Sequence, residues 1–486
     1  MIMMHNRLLP VLHSCSLMTS RTIMSHINPN NHVIIIGGGI AGLMAAKELL
    51  STRAKQCHDM KVQQQPLLKI TMVEASDRLG GRIRAADNNN DNDNLVVDLG
   101  AEFIHGTGTV LTDLIDEYFG EQEMEELFIT AHADGGPSPI PTNAGKYGMY
   151  FVGGELVNYT DERIWPLTKA LGSMEEMMEH DTSASVGEAL RQFHLSPELE
   201  ALAEASYGNT VGAPLDSISL PVLASFEHHW QEHEIEGDMR LNAKIGMYGI
   251  VKRLAEELAR DERFSVNLNW SVARISYDDT NIRVFSSDSS YQIFEADAVI
   301  ITVPPPALAA IDKSLGSDKV EALKYIGMNK ALKVLLKFNA PIWPPNVQSV
   351  IFGDCPIPEI WFKQSGEHHV ATGYVTSPKA NDFIAMCGSS QDKAASIMLE
   401  QLTRVFSIPI KDVQLVGSHM HVWEHGYMYP KVNMTMDHLK AMAAPIADKI
   451  FFAGEATNTN ACCTVQAAME TGVRAAKEVQ LKLYSR

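Results

Sequence analysis

Apolar residues recur along this chain in short continuous runs separated by turn residues, not in one sustained amphipathic repeat. Val33 to Ile36 is four β-branched residues in succession, which predicts a strand buried on both faces of a parallel sheet. Glycines follow at once and "GLMAAKELL" resumes with helix formers, so His32 to Leu50 predicts a strand, a tight turn and a helix. "LLKITMVEA" predicts a second strand, ending at Glu74. "LNWSVARISY" and "ADAVIITVPPPAL" carry further strand runs, and Lys333 to Phe338 another. "ALGSMEEMMEH" and "SVGEALRQF" carry the helical period instead. The fold class is α/β with a doubly wound sheet.

Polar stretches punctuate these elements. "STRAKQCHDMKVQQQ" reads as a surface insertion lengthening the crossover between the first two strands, and "DNNNDNDN", 87 to 94, as a surface loop. "GEQEMEELF" reads as a solvated helix face. His229 and His233 stand at i, i+4 spacing in "EHHWQEHEIEGDMR", but an exposed charged helix accounts for them and no metal site is expected.

At 486 residues the chain exceeds one compact core, which predicts two joined domains. Hydrophobic residues at 45% and charged residues at 20% belong to a folded soluble protein. A formal net charge of -19 argues against a nucleic-acid partner and agrees with a cationic ligand. The six cysteines lack CxxC spacing, so neither a disulfide scaffold nor zinc is indicated. No apolar run is long enough for a membrane span, so no membrane anchor is expected. The first residues carry Arg7 and Arg21 and no acid before Glu48, the composition of a transit peptide or of a disordered tail, which leaves a cytoplasmic or a mitochondrial location open.

The chemistry begins at the first turn. Gly37, Gly39 and Gly42 have GxGxxG spacing, with Ile40 and Ala41 opening the helix. The first glycine permits the turn, the second lets backbone approach a pyrophosphate, and the third lets helix pack on strand, with the helix N-terminus facing the phosphates. Glu74 then has the place of a carboxylate that accepts from ribose hydroxyls. Gly80, Gly81 and Arg82 follow, a second glycine loop with a guanidinium suited to a diphosphate.

From Arg78 to Arg82 the sequence resembles the RxGGR element of the flavin-dependent amine oxidase family, and the resemblance extends over nearly the whole chain after about residue 31. "VVDLGAEFIHG" is similar to the family's GAxWIHG segment beside the flavin ring, which implies flavin contacts at Ala101, Glu102 and Phe103 and an amine-pocket role for His105. Phe103 stands where Trp is usual, and Glu102 where a small or polar residue is common. The resemblance places the Val272 backbone at the adenine and Lys333 where a lysine holds a water beside flavin N5; alternation alone does not separate Lys333 from Lys337. In "GEATNTNACCTVQ", it assigns Glu455 to a ribityl or ribose hydroxyl and the Thr464 and Val465 amides to the reduced ring. Glycine is usual at Cys463. In "HVWEHGYMYPKVN", Trp423, Tyr427 and Tyr429 are candidates for a wall of the amine cage, and Tyr427 is chosen. That stretch lacks Cys, so the FAD is expected to be non-covalent.

The implied architecture is a Rossmann-like FAD-binding domain from 31–110, 240–320 and 410–486, interleaved with an α+β substrate-binding domain from 111–239 and 321–409, after a terminal segment 1–30. The implied reaction is oxidation of an amine by hydride transfer to flavin N5, imine hydrolysis, and reduction of O2 to H2O2. A polyamine is the first expectation, from His105 and the acidic balance. The alternatives are a monoamine or L-amino-acid oxidase, or a non-amine flavin oxidoreductase of the same fold. The oligomeric state is not legible.

Overall fold

His32–Ile36 is the central strand of an all-parallel, five-stranded sheet ordered Ile450–Phe452, Ala298–Ile301, His32–Ile36, Lys69–Val73, Phe264–Asn267. Val33 pairs with both Ala298 and Ile70, and Ile34, Ile35 and their partners are sealed from solvent, as the β-branched run requires. The computed structural model describes residues 32–56, 68–86, 96–127, 147–158, 160–173, 184–232, 238–279, 281–287, 292–311, 316–365 and 367–484. The targeting reading of the N-terminus, "DNNNDNDN", most of the polar insertion, His233 and most of "SMEEMMEH" lie outside these residues.

Helix Ile40–Gln56 follows the first strand and packs against the final helix Val465–Tyr484. An antiparallel flap of three strands, Val272–Tyr277, Ile282–Ser286 and Ile293–Ala296, is inserted before Ala298–Ile301. The second large sheet has seven strands, in the order Leu415–Trp423, Ala331–Phe338, His368–Thr376, Glu359–Ser365, Val347–Phe352, Tyr147–Val152, Glu155–Asn158. Its strand Ala331–Phe338 alternates by face. Leu332, Val334, Leu336 and Phe338 join the core that also holds Met398 and Leu402 of helix Gln391–Val405. Lys333, Leu335 and Lys337 take the opposite face.

One expectation is corrected. "GEQEMEELF" is not a helix face: Glu121–Glu123 makes a single 3-10 turn, and Met124–Leu127 is a strand pairing with Asp238–Leu241. Gly120, at φ 91°, stops helix Val110–Phe119, and the chain then finds a sheet edge whose other neighbour is Phe103–His105. Pairing overrode a charged sequence with good helix propensity. Among the described residues no helix is long and apolar enough to cross a membrane, and no group of His, Cys, Asp or Glu could hold a metal ion.

Candidate active site

The turn after the first strand is fixed by contacts that only glycine allows. Gly37 has φ 110°, and a Cβ on Gly42 would run into the Gly37 carbonyl oxygen. A Cβ on Gly39 would meet nothing within 4 Å, so that residue turns bare backbone toward open space at the start of helix Ile40–Gln56. Glu74 closes back on the turn: one oxygen accepts from the Gly38 amide at 2.7 Å and the other from the Ser76 amide and hydroxyl at 2.8 and 2.7 Å. Val272 stands at the start of the flap, two residues beyond Trp270, whose amide donates to the Glu74 carbonyl at 2.8 Å.

The second glycine loop lies on the first, with the Gly80 amide donating to the Gly38 carbonyl at 2.8 Å. Arg78 braces it by donating to the carbonyls of Leu79, Gly81 and Ile83. Arg82 reaches across the chain instead, to the Gly426 carbonyl at 2.9 Å and to Glu455 Oε1 at 2.8 Å. The guanidinium expected to meet a diphosphate thus spends one nitrogen on Glu455. The carboxylate expected to bind a sugar hydroxyl also accepts from the amides of Met428 and Cys463, both at 3.3 Å. A shallow open cleft begins here, lined by Arg82, Thr302, Val303, Pro304, Gly454 and Glu455 at the C-terminal ends of the parallel strands.

At the last helix, Thr464 accepts from the Ala467 amide at 3.1 Å and so caps Val465–Tyr484. Gln466 in the first turn donates to the His105 carbonyl at 2.7 Å, and its own Oε1 is buried with no hydrogen-bond partner. His105 Nδ1 lies 2.6 Å from Asp238 Oδ1, with the ring 5.9 Å from that of Trp230. Burial alone would lower the His105 pKa, but the charge and hydrogen bond of Asp238 outweigh it and raise the value above its ordinary range.

Lys333 belongs to a buried charge cluster. Its Nζ donates to Glu102 Oε2 at 2.8 Å and to the Asp98 carbonyl at 3.3 Å, 5.2 Å from the centre of the Trp361 ring. Glu102 is the hub. It also accepts from Lys363 Nζ at 2.9 Å and Trp361 Nε1 at 3.3 Å, with an Arg240 guanidinium nitrogen at 3.8 Å. All four charged groups are buried. Burial would raise the Glu102 pKa, but Lys333, Lys363 and Arg240 together drive it well below the carboxylate range. Asp98, which accepts from the amides of Met247 and Tyr248 at the start of helix Gly246–Leu258, is pushed the other way, to about 6, chiefly by burial. Lys337 shares the Lys333 face but is less buried, so burial and the Glu102 contact distinguish the two lysines where alternation could not.

Cross-strand register carries the site outward. Lys333 pairs with Tyr374, and Tyr374 with Glu359, so the three side chains share a face in one row. Glu359 is 7% exposed and accepts from Asn209 Nδ2 at 3.3 Å. Burial raises its pKa to about 7, Asp238 adding to the rise while Asn209 and Lys333 oppose it. The rings of Phe103, Trp361 and Tyr374 follow one another at centroid distances of 4.8 and 5.5 Å, and Tyr374 and Tyr427 share a 2.6 Å hydroxyl contact. Tyr427 also donates to the Thr210 carbonyl at 2.5 Å. Trp423 is held elsewhere, donating to the Leu99 carbonyl at 3.0 Å, and the Tyr429 ring packs on Gly327.

Sequence reasoning therefore missed Asp98, Asp238, Arg240, Glu359, Trp361, Lys363 and Gln466. One signal was available: in "PEIWFKQ", Glu359, Trp361 and Lys363 alternate with apolar Ile360 and Phe362, a polar and aromatic face on a strand.

The bare Gly39 backbone, the helix start beside it, the cleft along Thr302 to Pro304 and the orphaned Gln466 oxygen fit an extended dinucleotide. Fold and site together define an FAD-dependent oxidoreductase. The model of the family of flavin containing amine oxidoreductases matches residues 40–480, and the chain belongs to that family. It is 24% identical over 479 residues to Polyamine oxidase 3 of Oryza sativa subsp. japonica, covering 93% of this chain and 90% of the relative. It is 25% identical over 515 residues to the Peroxisomal N(1)-acetyl-spermine/spermidine oxidase of Homo sapiens, covering 91% and 94%. The solved structure of Cyclohexylamine Oxidase from Brevibacterium oxydans IH-35A superposes with a TM-score of 0.73 at 19% identity, over 94% of this chain and 100% of that one, and shares its fold.

Proposed function

We propose that the protein oxidises a polyamine at a carbon beside nitrogen, giving an imine that hydrolyses to an aldehyde and a shorter amine. The observation that carries this reading is the acidic and aromatic surround of the Lys333 row: Glu359 stands beside Tyr374 in that row, with Trp361 on the same face and Phe103 and Tyr427 in contact with those rings. Carboxylates in an aromatic enclosure suit an amine chain with more than one positive charge. The names of the rice and human relatives, a polyamine oxidase and an N(1)-acetyl-spermine/spermidine oxidase, point the same way.

FAD, bound without a covalent bond, would supply the two-electron redox chemistry of the oxidation. The Gly37–Gly42 turn and Glu74 would bind its phosphates and ribose, and the Thr464 and Val465 amides would face the ring. Glu359 and Asp238 attract the cationic amine, and the aromatic side chains exclude water so that the reacting nitrogen sheds its proton. His105, oriented by Asp238, hydrogen-bonds the amine chain. Lys333 acts as a fixed ammonium on Glu102.

An amino-acid oxidase would need a free guanidinium for the substrate carboxylate. The buried candidate, Arg240, is instead taken up by Glu102 and by the Phe362 carbonyl at 3.3 Å, which weighs against that alternative. Peroxide-coupled turnover with spermine, spermidine, N-acetylated polyamines, monoamines and L-amino acids tests the proposal. Polyamine turnover that falls at least tenfold in Glu359→Gln supports it, whereas preference for monoamines or amino acids overturns it.

A further inference from the structure

Cys462 and Cys463 immediately precede Thr464, the cap of the last helix, and none of the steps above uses them. Their sulfurs are 3.0 Å apart. Cys462 is buried and Cys463 partly so, and both are free thiols. Cys463 adopts φ 64°, the left-handed region that favours glycine, so the turn itself gains nothing from a cysteine here. Its amide donates to Glu455 Oε2 and its thiol to the Met428 carbonyl at 2.8 Å, next to Tyr427. The pair therefore sits between the Arg82–Glu455 contact and the tyrosines of the proposed amine cage.

We propose that Cys462 and Cys463 form a vicinal dithiol that hydrogen peroxide oxidises to a reversible disulfide. The Cys462 thiolate attacks one peroxide oxygen; the O–O bond breaks, and the departing hydroxide is protonated to water. Cys462 is then a sulfenic acid. The Cys463 sulfur displaces its hydroxyl, the S–O bond breaks, the S–S bond forms, and the hydroxyl leaves with the Cys463 proton as a second water. Two thiols lose two electrons and one peroxide becomes two waters. Cys463 is the resolving partner because its thiol is held protonated, first by the hydrogen bond with Cys462 and then by burial. Adjacent Cα atoms stand about 3.8 Å apart across a trans peptide, closer than the roughly 4.4–6.8 Å of relaxed disulfides. The ring is strained and hence readily reduced, as a reversible site requires. Its formation withdraws the donor from the Met428 carbonyl and so reaches the segment that carries Tyr427.

The test treats the FAD-loaded protein with stoichiometric hydrogen peroxide and no amine, so its outcome is independent of the substrate reading. After acid quench, denaturation and iodoacetamide, mass spectrometry of the peptide containing both cysteines should show two hydrogens lost and no alkylation. Prior reduction with dithiothreitol should restore two alkyl groups. In Cys463→Ser, dimedone should trap a sulfenic acid on Cys462, whereas in Cys462→Ser the Cys463 thiol should stay alkylatable. Two alkylated thiols after peroxide, sulfinic acid on either residue, or a disulfide to Cys355 or Cys387 in the unsubstituted protein would overturn the proposal without any variant being needed.

Discussion

The glycine turn at Gly37 to Gly42 and the sheet face around Lys333 are held by different forces. In the turn, backbone excludes backbone: a methyl group at Gly42 would displace the Gly37 carbonyl, while Glu74 accepts from the Gly38 amide and the Thr302 hydroxyl donates to the Gly37 carbonyl. On the sheet face, four buried charges from four distant segments satisfy one another, with Glu102 as the carboxylate shared by Lys333, Lys363 and Arg240, the last of which also has Glu125 at 3.9 Å. The turn is a steric object that tolerates no added atom at Gly42. The charge cluster is an electrostatic one that tolerates loss of a cation better than loss of its anion.

That contrast sets an order of effects. Glu102→Leu leaves the buried Lys333 and Lys363 without their anion, and Arg240 with Glu125 alone, and should cost about 3–5 kcal/mol in urea denaturation. Lys363→Met, which leaves Glu102 with Lys333 and Arg240, should cost less than half as much; equal losses would break the asymmetry. Gly42→Ala should cost on the order of 3 kcal/mol with or without cofactor, because backbone must move. Gly39→Ala should leave the melting temperature of the FAD-free protein unchanged and weaken FAD binding by roughly a hundredfold, about 2.7 kcal/mol, read by fluorescence titration. If both variants behaved alike, the division between a fold glycine and a cofactor glycine would fail.

A smaller, pH-dependent effect belongs to Glu359. Its pKa is raised from an ordinary 4.5 to about 7, so the native state keeps a proton that the unfolded chain has lost between those values. This group therefore subtracts stability as pH rises from 4.5 to 7, and the subtraction is complete above 7. Glu359→Gln should raise the melting temperature relative to the parent more at pH 8 than at pH 5. The same titration makes the carboxylate available to a cation only above about 7, so the KM for a polyamine should rise as pH falls below 7 and flatten in Glu359→Gln. Tyr427→Phe, losing the contacts to Tyr374 and the Thr210 carbonyl, should be smallest, about 0.5–1.5 kcal/mol.

The same contrast explains what the sequence disclosed. Gly37, Gly39, Gly42 and Glu74 were legible because their constraints are local and glycine has few substitutes. Lys333 was legible only through a resemblance, and its partner was not legible at all: Glu102 looked like a departure from a motif, and nothing in one sequence joins positions 102, 240, 333 and 363. Arg82 and Glu455 were each chosen for a ligand, whereas the fold joins them to one another. The strand at Met124–Leu127 was misread because charge and propensity spoke for a helix and a distant edge decided otherwise.

The central claim is that FAD chemistry here is directed at amines carrying more than one charge. Anaerobic stopped-flow mixing of the FAD-loaded protein with spermine and, separately, with butylamine at pH 8 tests it most directly. Bleaching of the oxidised flavin at least a hundredfold faster by spermine is the predicted result. Equal rates, a preference for butylamine, or no bleaching by any amine would contradict it.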